Sequence, residues 1–203
     1  VLFRSEVLPC LAATLLSPEP IELVNVPKIA DVIVMLEILE EMGASVDWLG
    51  TNRVRIDTSG VETGQVPAEQ SRRLRASILL AGPLLARFGR VELPPPGGDV
   101  IGRRRLDTHF LGLAALGANV EANGLFVISA DELRGTDIFL DEPSVTGTEN
   151  IIMAAVRARG VTTIRNAACE PHVQGLCRML VALGARIQGI GTNTLEIHGV
   201  RDL

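Results

Sequence analysis

Residues 94–109, PPPGGDVIGRRRLDTH, set a lone carboxylate, Asp99, just ahead of three consecutive guanidiniums, Arg103, Arg104 and Arg105. Three prolines and two glycines make the approach neither helix nor central strand, so the acid is carried on a loop. Asp after Gly-Gly is ordinary turn chemistry, and taken alone Asp99 reads as a solvated turn residue. The forked donors of arginine match phosphate and carboxylate oxygens, so the run beside it is suited to holding a small anion.

Other polar groups are grouped in the same way. Arg75 follows Arg72 and Arg73 at the start of a helix, where the three read equally as solvated charge. Asp107 and His109 open a helix predicted over 107–116, with Asp107 as its N-cap and His109 as a structural partner and not a base. Ser144, Val145, Thr146 and Gly147 precede the helix beginning TENIIMAA; Thr146 either caps that helix or crowds an anion there, and both readings stand.

The elements that must position these groups come from a chain of 203 residues, 47% hydrophobic and 21% charged, which suits a globular protein. A net charge of −5 excludes a general nucleic-acid binder, so the arginines are aimed at a small anion and not at a polymer. Three cysteines, Cys10, Cys169 and Cys177, have no metal-ligand spacing and read as reduced structural thiols; no metal and no cofactor is expected. The apolar runs fall short of a membrane span and no leader pattern stands at the start, so the expected location is the cytoplasm.

Self-similarity gives the architecture. The segments 35–50, 110–124 and 177–191 each read as a helix stopping at a glycine (Gly43, Gly117, Gly184) and entering a hairpin, with returning strands at 53–57, 125–129 and 194–198. Each is preceded by an apolar helix running into a short strand, at 8–27, 74–96 and 150–171. Units near 6–66, 67–136 and 137–203 follow. Helices apolar nearly all round with alternating strands imply buried helices and half-exposed sheets, an α/β inside-out prism of three repeated units. Trp48 reads as a packing residue on an exposed sheet face.

The order LPCLAATLL, NVPKIADV, LRAS, LLARFG, PGGDVIG-R-RRLDTH, LGA and PSVTGTEN resembles the enolpyruvyl transferases, and among them the UDP-N-acetylglucosamine 1-carboxyvinyltransferases. The resemblance covers the chain after residue 5 and implies one of two similar domains, with the active site in the cleft between them. Val1–Ser5 breaks the pattern and is read as a non-native start; Arg4 and Ser5 fall on the family's lysine and asparagine, and no function is carried onto them. The implied reaction transfers an enolpyruvyl group from phosphoenolpyruvate to the 3-hydroxyl of the nucleotide sugar, with no nucleic acid or membrane as partner. Asp99 falls where members carry a cysteine or an aspartate that protonates C3, and Arg104 on the arginine that binds phosphate. Arg75, Arg105, Leu106, Asp107 and Thr108 fall on nucleotide-sugar positions, with Arg105 and Thr108 replacing a proline and a leucine. Ser144, Val145 and Thr146 fall on the family's Ser-Val-Gly turn, whose amides meet the diphosphate; here the glycine comes one residue late. Glu142 stands where a lysine can occur. Competing readings are a 3-phosphoshikimate 1-carboxyvinyltransferase and a non-catalytic nucleotide-binding module of the same fold.

Overall fold

A computed structural model describes residues 4–97 and 106–203. In chain order it has α1 (Arg4–Ala13), running into a 3-10 turn at Thr14–Leu16, then β1 (Ile21–Val24), α2 (Ala30–Glu41), β2 (Ser45–Trp48) and β3 (Arg53–Asp57). A short helix α3 (Ala68–Ser71) and a 3-10 helix (Arg75–Leu80) lead into α4 (Ala81–Phe88), β4 (Arg90–Leu93), α5 (Asp107–Ala115), β5 (Asn119–Ala122) and β6 (Phe126–Ser129). The last part is β7 (Asp137–Phe139), α6 (Val145–Ala155), β8 (Val161–Arg165), α7 (Pro171–Ala182), β9 (Arg186–Gln188) and β10 (Thr194–His198).

Each sheet has the same plan. The orders are β1-β3-β2, β4-β6-β5 and β7-β8-β10-β9, antiparallel throughout except for β7 beside β8. The three glycines that end the outer helices have φ of +108°, +100° and +113°, a region closed to most side chains, so helix and hairpin part there. The apolar segment expected as one helix from residue 74 is divided, 3-10 through Leu80 and α from Ala81. Pro83 has no N–H for the carbonyl four residues back, and its ring crowds that carbonyl, so one α ladder cannot run through.

Burial sorts the helices into two shells. In α6 every residue from Gly147 to Ala155 is buried, and α1 and α4 are buried along most of their lengths. By contrast α7 buries only Val173, Leu176, Cys177 and Leu180, the one stripe of a helix that faces the core on one side. Strands β3, β8 and β10 bury alternate residues. The sheets therefore form the outside and the α1–α4–α6 group the centre, and each fully buried Leu or Ile there contributes about 1.5–3 kcal/mol. The fold is the inside-out α/β prism.

Because the strand between an inner and an outer helix carries the chain back, both helices start at the same end. Contacts at the two ends agree. At one, Thr148 of α6 accepts from the amide of Ala168 just before α7 (3.0 Å), and Asn150 of α6 meets Ile78, Gly82 and His109. At the other, Arg87 near the end of α4 donates to the carbonyl of Leu15 after α1 (3.1 Å), and Val200 donates to the carbonyl of Val156 after α6 (2.8 Å). The starts of α1, α2, α5, α6 and α7, with that of the 3-10 helix that runs into α4, thus lie toward one end, and a helix N-terminus favours negative charge.

Candidate active site

The three units differ most where the strand crosses to the outer helix. Between β1 and α2 the connection is residues 25–29, and between β8 and α7 it is 166–170. Both start with an asparagine in the left-handed region, Asn25 (φ 61°) and Asn166 (φ 57°), whose successor donates to a hairpin carbonyl, Val26 to Asn52 and Ala167 to Asn193. Between β4 and α5 the connection is instead residues 94–106, the proline- and arginine-bearing stretch. It opens at the end where the helix N-termini gather. Its start is fixed: the amide of Gly97 donates to the carbonyl of Ser71 (3.3 Å), and a Cβ at Gly97 would run into the carbonyl of Arg72. Asp99, Arg103, Arg104 and Arg105 lie outside the described residues.

Around this connection the starts of α5, α6 and the 3-10 helix share a buried polar network. Asn150, fully buried, accepts from the amide of Gly82 through Oδ1 (2.6 Å) and donates through Nδ2 to the carbonyl of Ile78 (2.7 Å). These two bonds fix which end of the amide is which. Nδ2 also lies 2.8 Å from His109 Nδ1, so that ring nitrogen is the acceptor and the proton sits on Nε2, 3.1 Å from Thr146 Oγ1. Burial, and then the charge of Arg75, push the His109 pKa down to about 4, which keeps the ring neutral near pH 7. The expectation that His109 is a structural partner fits this placement.

One expectation about caps is corrected, and of the two readings left open for Thr146 the cap is excluded. Asp107 is not the N-cap of α5; Leu106 holds that position without a side-chain cap, and Asp107 lies in the first turn, where an acid still favours the helix dipole. Ser144, not Thr146, caps α6: its Oγ accepts from the amide of Gly147 (3.2 Å), while the Thr146 hydroxyl is engaged by His109. Gly147 is a packing glycine, since a Cβ there would lie 2.9 Å from Ser144 Oγ and 3.0 Å from Thr108 Cγ2. The amides of Val145 and Thr146 have no acceptor among the described residues. Thr108 turns its hydroxyl toward Asp141 Oδ1 (3.4 Å) and Glu142 Oε1 (3.3 Å), so the Glu142 carboxylate is directed at α5.

Arg75, Leu106, Asp107, Thr108, Ser144, Val145 and Thr146 therefore all lie at the starts of the 3-10 helix, α5 and α6. The sequence did not point to Asn150, although an Asn in the apolar run ENIIMAA must find partners once buried, and that was the available signal. Glu149 was also passed over. It is buried, its Oε1 has no partner among the described residues, and burial, then Glu170, push its pKa up to about 8. Nearby Cys10 and Cys177 are pushed up to about 12, chiefly by burial. A roomy open groove of about 790 Å³ lies at the opposite end, lined by Arg87, Arg157 and Arg159 among others. There Arg87 donates to the carbonyl of Leu15 in the turn after α1, and Arg157 to the carbonyl of Arg201 in the tail after β10.

A three-unit prism with buried helices and outer sheets is the fold of the enolpyruvyl transferases. The chain belongs to the EPSP synthase (3-phosphoshikimate 1-carboxyvinyltransferase) family, whose profile matches residues 5–203. Among its relatives, the UDP-N-acetylglucosamine 1-carboxyvinyltransferase of Treponema pallidum (strain Nichols) is 57% identical over 200 residues, 98% of this chain and 47% of the relative. That of Bradyrhizobium diazoefficiens is 55% identical over 196 residues, 97% of this chain and 46% of the relative. The chain thus spans about half the length of the curated relatives it matches. The fold is shared with the crystal structure of the enolpyruvyl transferase NikO from Streptomyces tendae, with a TM-score of 0.83 at 23% identity over 98% of this chain and 47% of that one.

Proposed function

We propose that the chain is one domain of a UDP-N-acetylglucosamine 1-carboxyvinyltransferase, which moves the enolpyruvyl group of phosphoenolpyruvate to the sugar 3-hydroxyl and releases phosphate, the first committed step of peptidoglycan synthesis. The observation that carries this is the 57% identity to such an enzyme over 98% of the chain, in a fold that brings the starts of α5 and α6 together through His109, Thr146 and Asn150. Both substrates are anions, and this end of the domain favours them.

Asp99 delivers a proton to C3 while the sugar 3-hydroxyl oxygen bonds to C2 and gives up its own proton to the phosphate group, forming a tetrahedral intermediate. The C2–O bond to phosphate then breaks as C3 returns a proton to the Asp99 carboxylate, so hydrogen phosphate leaves and the product keeps its double bond. Arg104 holds the phosphate throughout, from ester to leaving dianion, where a guanidinium fork stabilises charge best. Arg75, Arg105, Leu106, Asp107 and Thr108 face the nucleotide sugar, and Ser144, Val145 and Thr146 its diphosphate. A second domain closes the cleft and excludes water. No helix among the described residues is long and apolar enough to cross a membrane, and we place the reaction in the cytoplasm.

The family profile carries the name of the 3-phosphoshikimate enzyme, whereas relatives at 46–57% identity are named for the UDP-sugar enzyme, and that favours the first reading. Calorimetric titration of the full-length protein decides between them. Heat on adding UDP-N-acetylglucosamine and none with 3-phosphoshikimate is expected; the reverse overturns the proposal.

A further inference from the structure

We propose that Ser77 is a positioning residue for the transfer: its hydroxyl, through Ser71, fixes Gly97, two residues ahead of Asp99, and so sets where the stretch bearing the acid and Arg104 begins. The inference rests on the transferase reading for the reaction, while the anchor belongs to the geometry of this chain. Ser71 and Ser77 are both fully buried, and neither has a part in the chemistry proposed above. A buried hydroxyl must find an acceptor for its proton.

The direction of both bonds is fixed. Ser77 Oγ donates to the carbonyl of Ser71 (3.2 Å), which cannot donate in return, so Ser77 Oγ is left to accept from Ser71 Oγ (3.0 Å). Together they join the end of α3 to the 3-10 helix. That tie is needed, because α3 is a four-residue turn with no side-chain cap, too short to hold itself. The 3-10 helix is the firmer partner: Asn150 donates to the carbonyl of Ile78 at 2.7 Å, and Ser77 to Leu80 are buried. Gly97 rests on what Ser77 has fixed. Its amide donates to the same Ser71 carbonyl (3.3 Å), and the absence of a Cβ leaves room for the next carbonyl, that of Arg72. The Leu74 amide shares the Ser71 carbonyl at 3.3 Å, which leaves Ser77 as the one side chain donating to it among the described residues. Prolines 94–96 fix φ at three successive residues on the approach, so Gly97 is the first position free to turn, and its contact with Ser71 and Arg72 sets it. Arg75 starts the same 3-10 helix, so the supports of both substrates meet at Ser77.

The test uses the full-length protein with Ser77→Ala, Ser71→Ala and Gly97→Ala. Ser77→Ala loses both bonds, and kcat/KM for phosphoenolpyruvate is expected to fall about ten- to a hundredfold, the scale of a misplacement of about 1 Å, while the Kd of UDP-N-acetylglucosamine stays within about twofold. Ser71→Ala keeps the bond to the carbonyl and should lose less. Gly97→Ala strikes the Arg72 carbonyl from the other side and should show the same split, and the double variant Ser77→Ala/Gly97→Ala should be no worse than the poorer single one. Amide hydrogen exchange at Gly97 should be faster in Ser77→Ala than in the wild type, which reads the anchor without turnover. A loss of thermal stability with kcat/KM unchanged, equal losses in sugar binding and turnover, or additive losses in the double variant overturns the proposal. Should the wild type release no phosphate from phosphoenolpyruvate, the transferase reading fails and exchange decides alone: a faster rate at Gly97 supports anchoring by Ser77, and an unchanged rate overturns it.

Discussion

Replacing Glu149 by glutamine should remove a pH dependence of stability that the wild type carries. Glu149 is 1% exposed on α6, faces Glu170 at the start of α7 and lies by Cys10 of α1 and Cys177 of α7. Burial and then Glu170 raise its folded pKa from 4.5 to about 8. Between those values the folded protein binds a proton that the unfolded chain has released, so stability falls as pH rises. The slope is about 1.4 kcal/mol per pH unit, which amounts to roughly 5 kcal/mol by the time pH has passed the folded pKa. That is a large share of the 5–15 kcal/mol or so that holds a typical domain together. Glutamine keeps the size and the neutral state and has no proton to lose. Urea unfolding of wild type and Glu149→Gln at intervals from pH 5.5 to 9 isolates the residue, because other titrations cancel in the difference. The variant should gain on the wild type by about 3 kcal/mol between pH 5.5 and 7.5. Parallel curves across that range would refute the reasoning, since they would mean that Glu149 reaches water or a cation when folded.

The same burial should make Cys10 and Cys177 inert, so a thiol reagent near pH 7.5 labels exposed Cys169 alone until denaturant opens the other two. Gly82→Ala should destabilise by about 2 kcal/mol or more in thermal unfolding, because its Cβ would strike the carbonyl and the Oδ1 of Asn150. If Asp99 is the proton donor of a full-length transferase, as proposed, that protein should resist the epoxide fosfomycin, which alkylates the loop thiol of cysteine-bearing members; Asp99→Cys should become sensitive and should shift the activity optimum to higher pH, as expected from ordinary pKa values of about 3.9 for Asp and 8.5 for Cys. Residues 1–203 alone should bind substrate weakly and release no phosphate from phosphoenolpyruvate, since one wall of the cleft orients neither partner.

Much of the fold was legible because its signals are local. Gly43, Gly117 and Gly184 end helices for a steric reason visible in one residue, and the alternation in RVRID and TLEIH marks a sheet with one wet face. The division of the segment at Pro83 was missed, although the proline was in view, because the apolar pattern on either side reads as one helix. The caps were harder. Asp107 and Thr146 are good capping types, yet which residue caps depends on where the preceding chain enters and on what competes for the side chain. Ser144 holds one cap, while Thr146 lies inside the helix with its hydroxyl on His109, 37 residues away. Asn150 and Glu149 sit in an apolar run and gain meaning only from partners on other units, Gly82 and Ile78 in one case and Glu170 in the other. Pairings that span repeats leave no trace in spacing along the chain.

The most direct measurement is phosphate release from phosphoenolpyruvate by the full-length protein, with and without UDP-N-acetylglucosamine, in the wild type, Arg104→Ala and Asp99→Asn. Release that requires the nucleotide sugar, falls at least a hundredfold in Arg104→Ala and is lost in Asp99→Asn is the predicted result, at the scale of removing one group that holds developing charge. Release without the sugar, or full activity in Asp99→Asn, would contradict the account and give the loop at 94–106 some other purpose.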